Sequence, residues 1–196
     1  VLFPSGRSTL TDDAKKQLVP AKVVGLGAAV SALLPTISHD GKRYAFTNGP
    51  GANMAFGTVG RSVSLMDLAI DPQSDTLTFT NRRLLLDNGA NGAVAKFLTF
   101  LPDPQLLVLQ EGEGYLKSYD EMLPTWDANS TYTGATGRLY MLNAATKEHL
   151  ELGTLNAGNA AIDRQRNYEP FALPIAAGGY YWVVFTSIRE YGNTYQ

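Results

Sequence analysis

Ser38-His39-Asp40-Gly41-Lys42-Arg43-Tyr44-Ala45-Phe46-Thr47 reads as a tight turn feeding a strand. The Asp40 carboxylate can accept local backbone N–H bonds, Gly41 can take the positive φ that closes the turn, and Tyr44 and Phe46 set the period of two of a strand. Upstream, Leu34-Pro35-Thr36-Ile37 reads as a strand whose end carries a proline. Downstream, Arg61 to Ile70 and Thr76 to Leu86 flank Asp71-Pro72-Gln73-Ser74-Asp75. That separator joins a fixed proline φ to short side chains that bond the nearby backbone, so the two runs are expected to form a hairpin.

The same order returns twice. Phe100-Leu101-Pro102-Asp103-Pro104 precedes Gln105-Leu106-Leu107-Val108-Leu109. Leu173-Pro174-Ile175-Ala176-Ala177-Gly178-Gly179 precedes Tyr180-Tyr181-Trp182-Val183-Val184-Phe185-Thr186, aromatic and β-branched almost throughout. A second hairpin is expected from Gly137 to Leu142 and Glu148 to Leu155, turning at Asn143-Ala144-Ala145-Thr146-Lys147. The anchoring prolines Pro35, Pro102 and Pro174 stand 67 and then 72 residues apart. Four antiparallel strands per unit, repeated, is how a propeller blade looks in sequence, and such a sheet buries both faces only against its neighbours. The spacing exceeds the ~40–50 residues of compact blades, so the excess is assigned to Asn48 to Gly60 and Glu111 to Thr136.

Composition agrees with an all-β chain and removes several kinds of chemistry. Its 196 residues include 19 Gly and 10 Pro, a turn-rich proportion, and 44% are hydrophobic, enough for a sizeable core. With 16 Lys+Arg against 18 Asp+Glu the net charge is −2, and no basic stripe suits a nucleic acid. The absence of cysteine excludes disulfides, thiolate metal sites, a Cys nucleophile and covalent haem attachment. The least polar stretch, Val19 to Ile37, is interrupted by Pro20, Lys22 and Pro35 and falls short of a membrane span. Residues 8–18 could form a short capped helix or a solvated loop.

Ser38 to Thr47 resembles the turn-and-strand signature of TolB-like β-propeller repeats, with His39 where that family usually has proline. Leu101-Pro102-Asp103 resembles a degraded second copy. Asn167-Tyr168-Glu169-Pro170, with Gly178 to Ser187 and Tyr191-Gly192-Asn193, is similar to a set of large secreted or envelope-associated TolB-like proteins of myxobacteria and their relatives. The resemblance implies a propeller fold and a secreted, periplasmic or cell-envelope location.

The expected organisation is an N-terminal segment at 1–27, a first blade at 28–86, a second at 87–155 with the insertion 111–136, and the first half of a third at 156–196. Two and a half four-stranded antiparallel blades cannot close a ring of four to eight. Another protein chain is therefore expected to complete the fold, as the rest of a cleaved precursor would; the Val1 start and the Gln196 end both read as cut. The alternative architecture is an irregular sandwich.

Candidate sites are few. His39 is expected to serve its turn, and His149, beside Glu148 and Glu151, to lie on the surface. A Gly-x-Ser-x-Gly elbow, a P-loop and an H-E-x-x-H motif are all missing, and Gly25-Leu26-Gly27 lacks the helix and the acid of a dinucleotide fingerprint. No catalytic residue is assigned. Tyr115, Tyr119, Trp126 and Tyr132 give the long insertion the composition of a recognition loop, because Tyr and Trp pair a large rigid surface with a polar tip; they could equally pack down as core. No cofactor is expected, with Ca²⁺ possible at Asp87, Asn88 and Asn91, whose hard oxygens sit on a Gly-bent loop that also reads as a plain turn. The function expected is a non-enzymatic interaction and assembly module of a secreted or envelope propeller protein. The alternative is a propeller hydrolase or lyase acting on a glycan or peptide; an accessory subunit of a larger envelope assembly differs only in its partner.

Overall fold

The structure, a computed structural model, describes residues 2–4, 18–20, 22–27, 33–49, 60–112, 136–157, 161–187 and 189. The chain is all-β. Strands β4 (Leu33–Ile37), β5 (Arg43–Asn48), β6 (Ser62–Asp71) and β7 (Thr76–Asp87) form an antiparallel meander, and β3 (Lys22–Val24) joins it in parallel beside β7. A second meander comprises β8 (Ala95–Phe100), β9 (Leu106–Glu111), β10 (Arg138–Asn143) and β11 (His149–Glu151). The third sheet is the pair β12 (Asn167–Ala172) and β13 (Val183–Ser187), and β1 (Leu2–Pro4) pairs with β2 (Leu18–Pro20) separately. A helical turn, α1 (Gly153–Asn156), and the 3-10 turn Ala161–Gln165 connect the second sheet to the third. Among the described residues no helix is long and apolar enough to cross a membrane.

Alternation places apolar side chains on both faces of the first two sheets. Ala45, Val63, Leu65 and Leu85 of the first sheet pack on Ala95, Leu98, Phe100, Leu107, Leu109 and Leu142 of the second. The second sheet turns Leu101 and Val108 toward Ala172 of the third, with Val183 at the margin. The far face of the first sheet gathers Tyr44, Phe46, Met66, Leu68, Leu77 and Phe79, with Leu26 against it. The sheets thus stack in chain order, and each joint also carries polar ties. Arg43 donates through Nη1 to Pro104 O (3.0 Å) and Gln105 Oε1 (2.7 Å), and His39 Nε2 lies 3.0 Å from Phe100 O. At the next joint the Ala172 and Glu169 N–H groups donate to Thr99 Oγ1 (3.1 Å) and Gln110 Oε1 (3.0 Å).

A backbone feature recurs in the first strand of each of the two antiparallel meanders and of the β12–β13 pair. In β4, β8 and β12 two residues oppose one on the partner strand, between Leu33/Thr36, Lys96/Thr99 and Tyr168/Phe171. The first residue of each bulge has a left-handed φ: 44° at Leu34, 49° at Phe97 and 52° at Glu169. A non-glycine residue held there costs about 1–3 kcal/mol, so the surroundings must enforce it. The bulge also corrects the proline alignment. Pro35 lies inside its bulge, whereas Pro102 and Pro174 stand two residues beyond the ends of their strands, so their counterpart in the first unit is His39. The backbone bonds agree: Ser38 N–H donates to Arg43 O, Leu101 N–H to Leu106 O and Leu173 N–H to Trp182 O.

The turns behave as their side chains dictate. Asp40 Oδ1 accepts from Lys42 N–H (3.1 Å) and Ser38 Oγ (2.6 Å), Gly41 has φ +70°, and Asp103 Oδ1 accepts from Gln105 N–H (2.8 Å). Asp71 Oδ1 takes Gln73 N–H, closing the expected 61–70/76–86 hairpin. Asn143 Oδ1 takes the N–H groups of Ala145 and Thr146, closing the hairpin of β10 and β11. Two strand expectations need correction. The run from Glu148 ends as a strand at Glu151 because the chain turns into α1 to bring Asn156 back onto Leu139. The run from Tyr180 becomes a strand only at Val183, because Ala177 and Tyr180 close a tight turn over Gly178 and Gly179, both at positive φ. The helix considered at 8–18 falls almost wholly outside the described residues.

Asp67 fastens an irregular stretch of the β6–β7 pair. Arg83 holds both of its oxygens (2.7 and 3.2 Å) and Asn81 Nδ2 donates at 2.8 Å. These bonds, Arg83 first, hold the Asp67 carboxyl below its ordinary value of 3.8. A carboxyl lowered on folding stabilises the fold above the unfolded value and loses that contribution as pH falls through the folded one. Urea midpoints should therefore drop as pH is taken below about 4, and Asp67→Asn should shrink that drop. An unchanged acid limb in Asp67→Asn would remove the assignment.

Candidate functional site

The aromatic residues of the long insertion, Tyr115, Tyr119, Trp126 and Tyr132, lie outside the described residues. The 87–92 loop is described and is built as a turn. Asp87 Oδ1 accepts from Ser62 Oγ (3.1 Å) and Gly89 N–H (3.0 Å). Asn88 Nδ2 donates to Ala93 O (2.9 Å) and Glu111 Oε1 (2.8 Å), and Asn91 is exposed. Asp87 Oδ1 and Asn88 Nδ2 thus serve the loop's closure, and among the described residues no three His, Asp or Glu side chains gather to hold a metal.

His149 is not the surface residue its alternating strand suggests. Its ring stacks on Tyr140, centroids 4.6 Å apart, and Nε2 lies 3.3 Å from Oε1 of the buried Glu111. Register accounts for its half-buried position: His149 pairs with Leu142 of β10 at the start of the edge strand β11. Burial first, then the carboxylates of Glu151 and Glu111, push the Tyr140 phenol above its ordinary value. The group ties the corner of the second sheet to the 87–92 loop. His39 sits at the opposite kind of place, a turn reaching across to Phe100, so the two imidazoles serve different joints.

The surface with the strongest claim to function is the β12–β13 hairpin. Phe171 and Val184 face each other across the pair and are each 61% exposed. Ile175, Tyr180, Tyr181 and Trp182 continue the patch around the hairpin's end. Trp182 Nε1 donates to Ala177 O (3.0 Å), and its ring meets Tyr180 edge-on, so the exposed aromatics are held rather than loose. From Pro170 to Ser187 the sequence has no charged residue. Contiguous exposed apolar surface of this kind marks an interaction site.

Reading the sequence as a strand found this segment but not its exposure, since aromatic and β-branched residues suit a core strand equally well. The available signal was the missing charge: an outward strand face normally carries some. The arrangement offers a neutral, aromatic, exposed surface whose Trp182 and Tyr180 rings are held in place. No protein-family model matches the chain, and no curated protein matches it.

Proposed function

We propose that the chain is a non-enzymatic interaction and assembly module: a segment of a TolB-like β-propeller from a secreted or cell-envelope protein, whose ring another protein chain completes. The observation that carries this reading is a threefold register. The cross-strand pair just beyond the bulge is Thr36/Ala45 in the first sheet, Thr99/Val108 in the second and Phe171/Val184 in the third. The first two sheets send Ala45 and Val108 into the sheet that follows, at 0% and 1% exposure. The third pair is bare. Stacked antiparallel sheets whose opening strands adjoin support a propeller, and β8 touches both β4 and β12 here. The compartment and the TolB-like assignment rest on the sequence resemblance alone.

If another chain completes the fold, stability depends on association. The urea midpoint is then expected to rise with protein concentration, or with added partner, and no turnover is expected against glycans or peptides. A folded monomer with a concentration-independent midpoint would contradict the reading. Turnover removed by an Asp or Glu→Ala change would favour the hydrolase or lyase alternative.

A further inference from the structure

We infer that the outward face of the β12–β13 hairpin pairs with the same face of a second copy of this chain, across a twofold axis. This goes beyond the reading above, because it names the occupant of a face that reading leaves bare, and it calls on no other open surface. Strand alternation fixes what the face carries. Ala172 and Val183 pack with Val108 of the second sheet, so their neighbours Phe171, Leu173, Trp182 and Val184 take the opposite side. Tyr180, two residues before Trp182, meets its ring edge-on and lengthens the stripe. Phe171 pairs with Val184, and Leu173 N–H donates to Trp182 O, so the five side chains are neighbours across the hairpin. Among the described residues, seven of the thirteen exposed large apolar side chains lie in the run from Phe171 to Val184; the rest are aliphatic and spread over five strands.

Three properties of the stripe suit a self-pairing contact. It is neutral: no charged residue stands from Pro170 to Ser187, so a twofold axis, which sets a patch against its own kind, brings no like charges together. Recognition of a foreign surface ordinarily uses complementary charge, and this run offers none. It is large: Phe171, Tyr180 and Trp182 are 61%, 70% and 52% exposed. At about 200 Å² for a whole aromatic side chain they leave roughly 350 Å² uncovered before Val184 and Leu173 are added. That is more than half of the about 600 Å² per partner at the lower end of stable interfaces. It is also held: Trp182 Nε1 donates to Ala177 O at 3.0 Å, so less side-chain freedom is lost on contact. The Tyr180 and Trp182 rings stand 69° apart, with aliphatic Val184 and Leu173 beside them, a surface shaped to pack on apolar side chains rather than to lie flat along a sugar chain. An isologous contact of this kind closes at two copies.

The test follows Trp182. The chain has two tryptophans, so Trp126→Phe leaves Trp182 as the only indole reporter. Native mass spectrometry and light scattering across the micromolar range should find the wild type and this variant at twice the 21.2 kDa chain mass. Acrylamide quenching of Trp182 should fall as the dimer forms. Val184→Lys in the same background places a charge at a position 61% exposed in the single chain, and far-UV circular dichroism checks that it folds. Buried unpaired in an apolar contact, the lysine should weaken the dimer by at least about tenfold and restore the quenching. Phe171→Ser is the second variant and should act in the same direction. A dimer that both variants leave intact, or one in which Trp182 stays as open to acrylamide as in the diluted chain, overturns the contact. A ladder of trimers and longer species overturns the twofold, because an isologous contact stops at two. A chain that unfolds or aggregates until a different protein is added overturns the second copy while leaving the interaction-module reading in place. A stably folded monomer overturns both, and shielding of its Trp182 by a neutral oligosaccharide such as cellohexaose would assign the face to a sugar instead.

Discussion

Phe100→Ala is expected to lower the free energy of unfolding by about 3–5 kcal/mol, seen as a lower urea midpoint at unchanged slope. Phe100 is 1% exposed and ends the opening strand of the second sheet, where that sheet meets Ala45, Val63 and Leu65 of the first. Truncation removes the transfer free energy of a whole ring and leaves a cavity between two sheets. Their backbones are pinned there by Arg43 and by the contact of His39 with the Phe100 carbonyl, so the gap cannot readily collapse. A domain of this size is held by only about 5–15 kcal/mol, so one such change consumes a large share. Ile175→Ala is the matching control: at 67% exposure it should change stability by no more than about 0.5 kcal/mol. Equal effects from the two would mean that the first and second sheets do not share a core.

The turns were the most legible part of the chain. Asp40, Asp71 and Asn143 act through bonds to N–H groups two or three residues on, and such bonds depend on local sequence alone. The hairpins they close followed for the same reason. The repeat was legible in outline and misaligned in detail, because proline marks a place where a strand can end without saying which side of a bulge it occupies. The bulges at Leu34, Phe97 and Glu169 left no sequence signal, since glycine usually holds a left-handed position and none stands there. Their φ is enforced from outside, as when Gln110 of the second sheet takes the freed Glu169 N–H. The exposed face of the β12–β13 hairpin was half legible. Val183 and Val184 differ by nothing in the sequence, yet one packs on the second sheet and the other points away from it. That division follows from which neighbouring sheet is present, a property no single strand encodes.

Asn156→Ala is expected to cost about 1–3 kcal/mol, a large effect for a polar side chain on a four-residue helical turn. Asn156 is fully buried and stands in for a strand beside β10. Its Oδ1 accepts from Leu139 N–H and its Nδ2 donates to Leu139 O, both at 2.9 Å, and Asn167 Nδ2 reaches the same Oδ1 at 3.3 Å from the third sheet. Leu139 O keeps a second donor in Leu152 N–H, but the Leu139 N–H would be left buried without its acceptor. An orphaned donor costs more than a bond is worth, because it has also given up water. Asn156→Asp separates this role from simple space filling. The carboxylate can still accept from Leu139 N–H, but it faces Leu139 O and the nearby Glu151 with no proton to give. Burial raises the pKa of such an acid on folding. A raised acid destabilises the fold above its folded value and gives that stability back as pH falls through it, so Asn156→Asp should gain relative to wild type on acidification. Asn156→Ala should show no such gain. Parallel pH profiles for the two variants would mean that Asn156 fills a gap without bridging the strands.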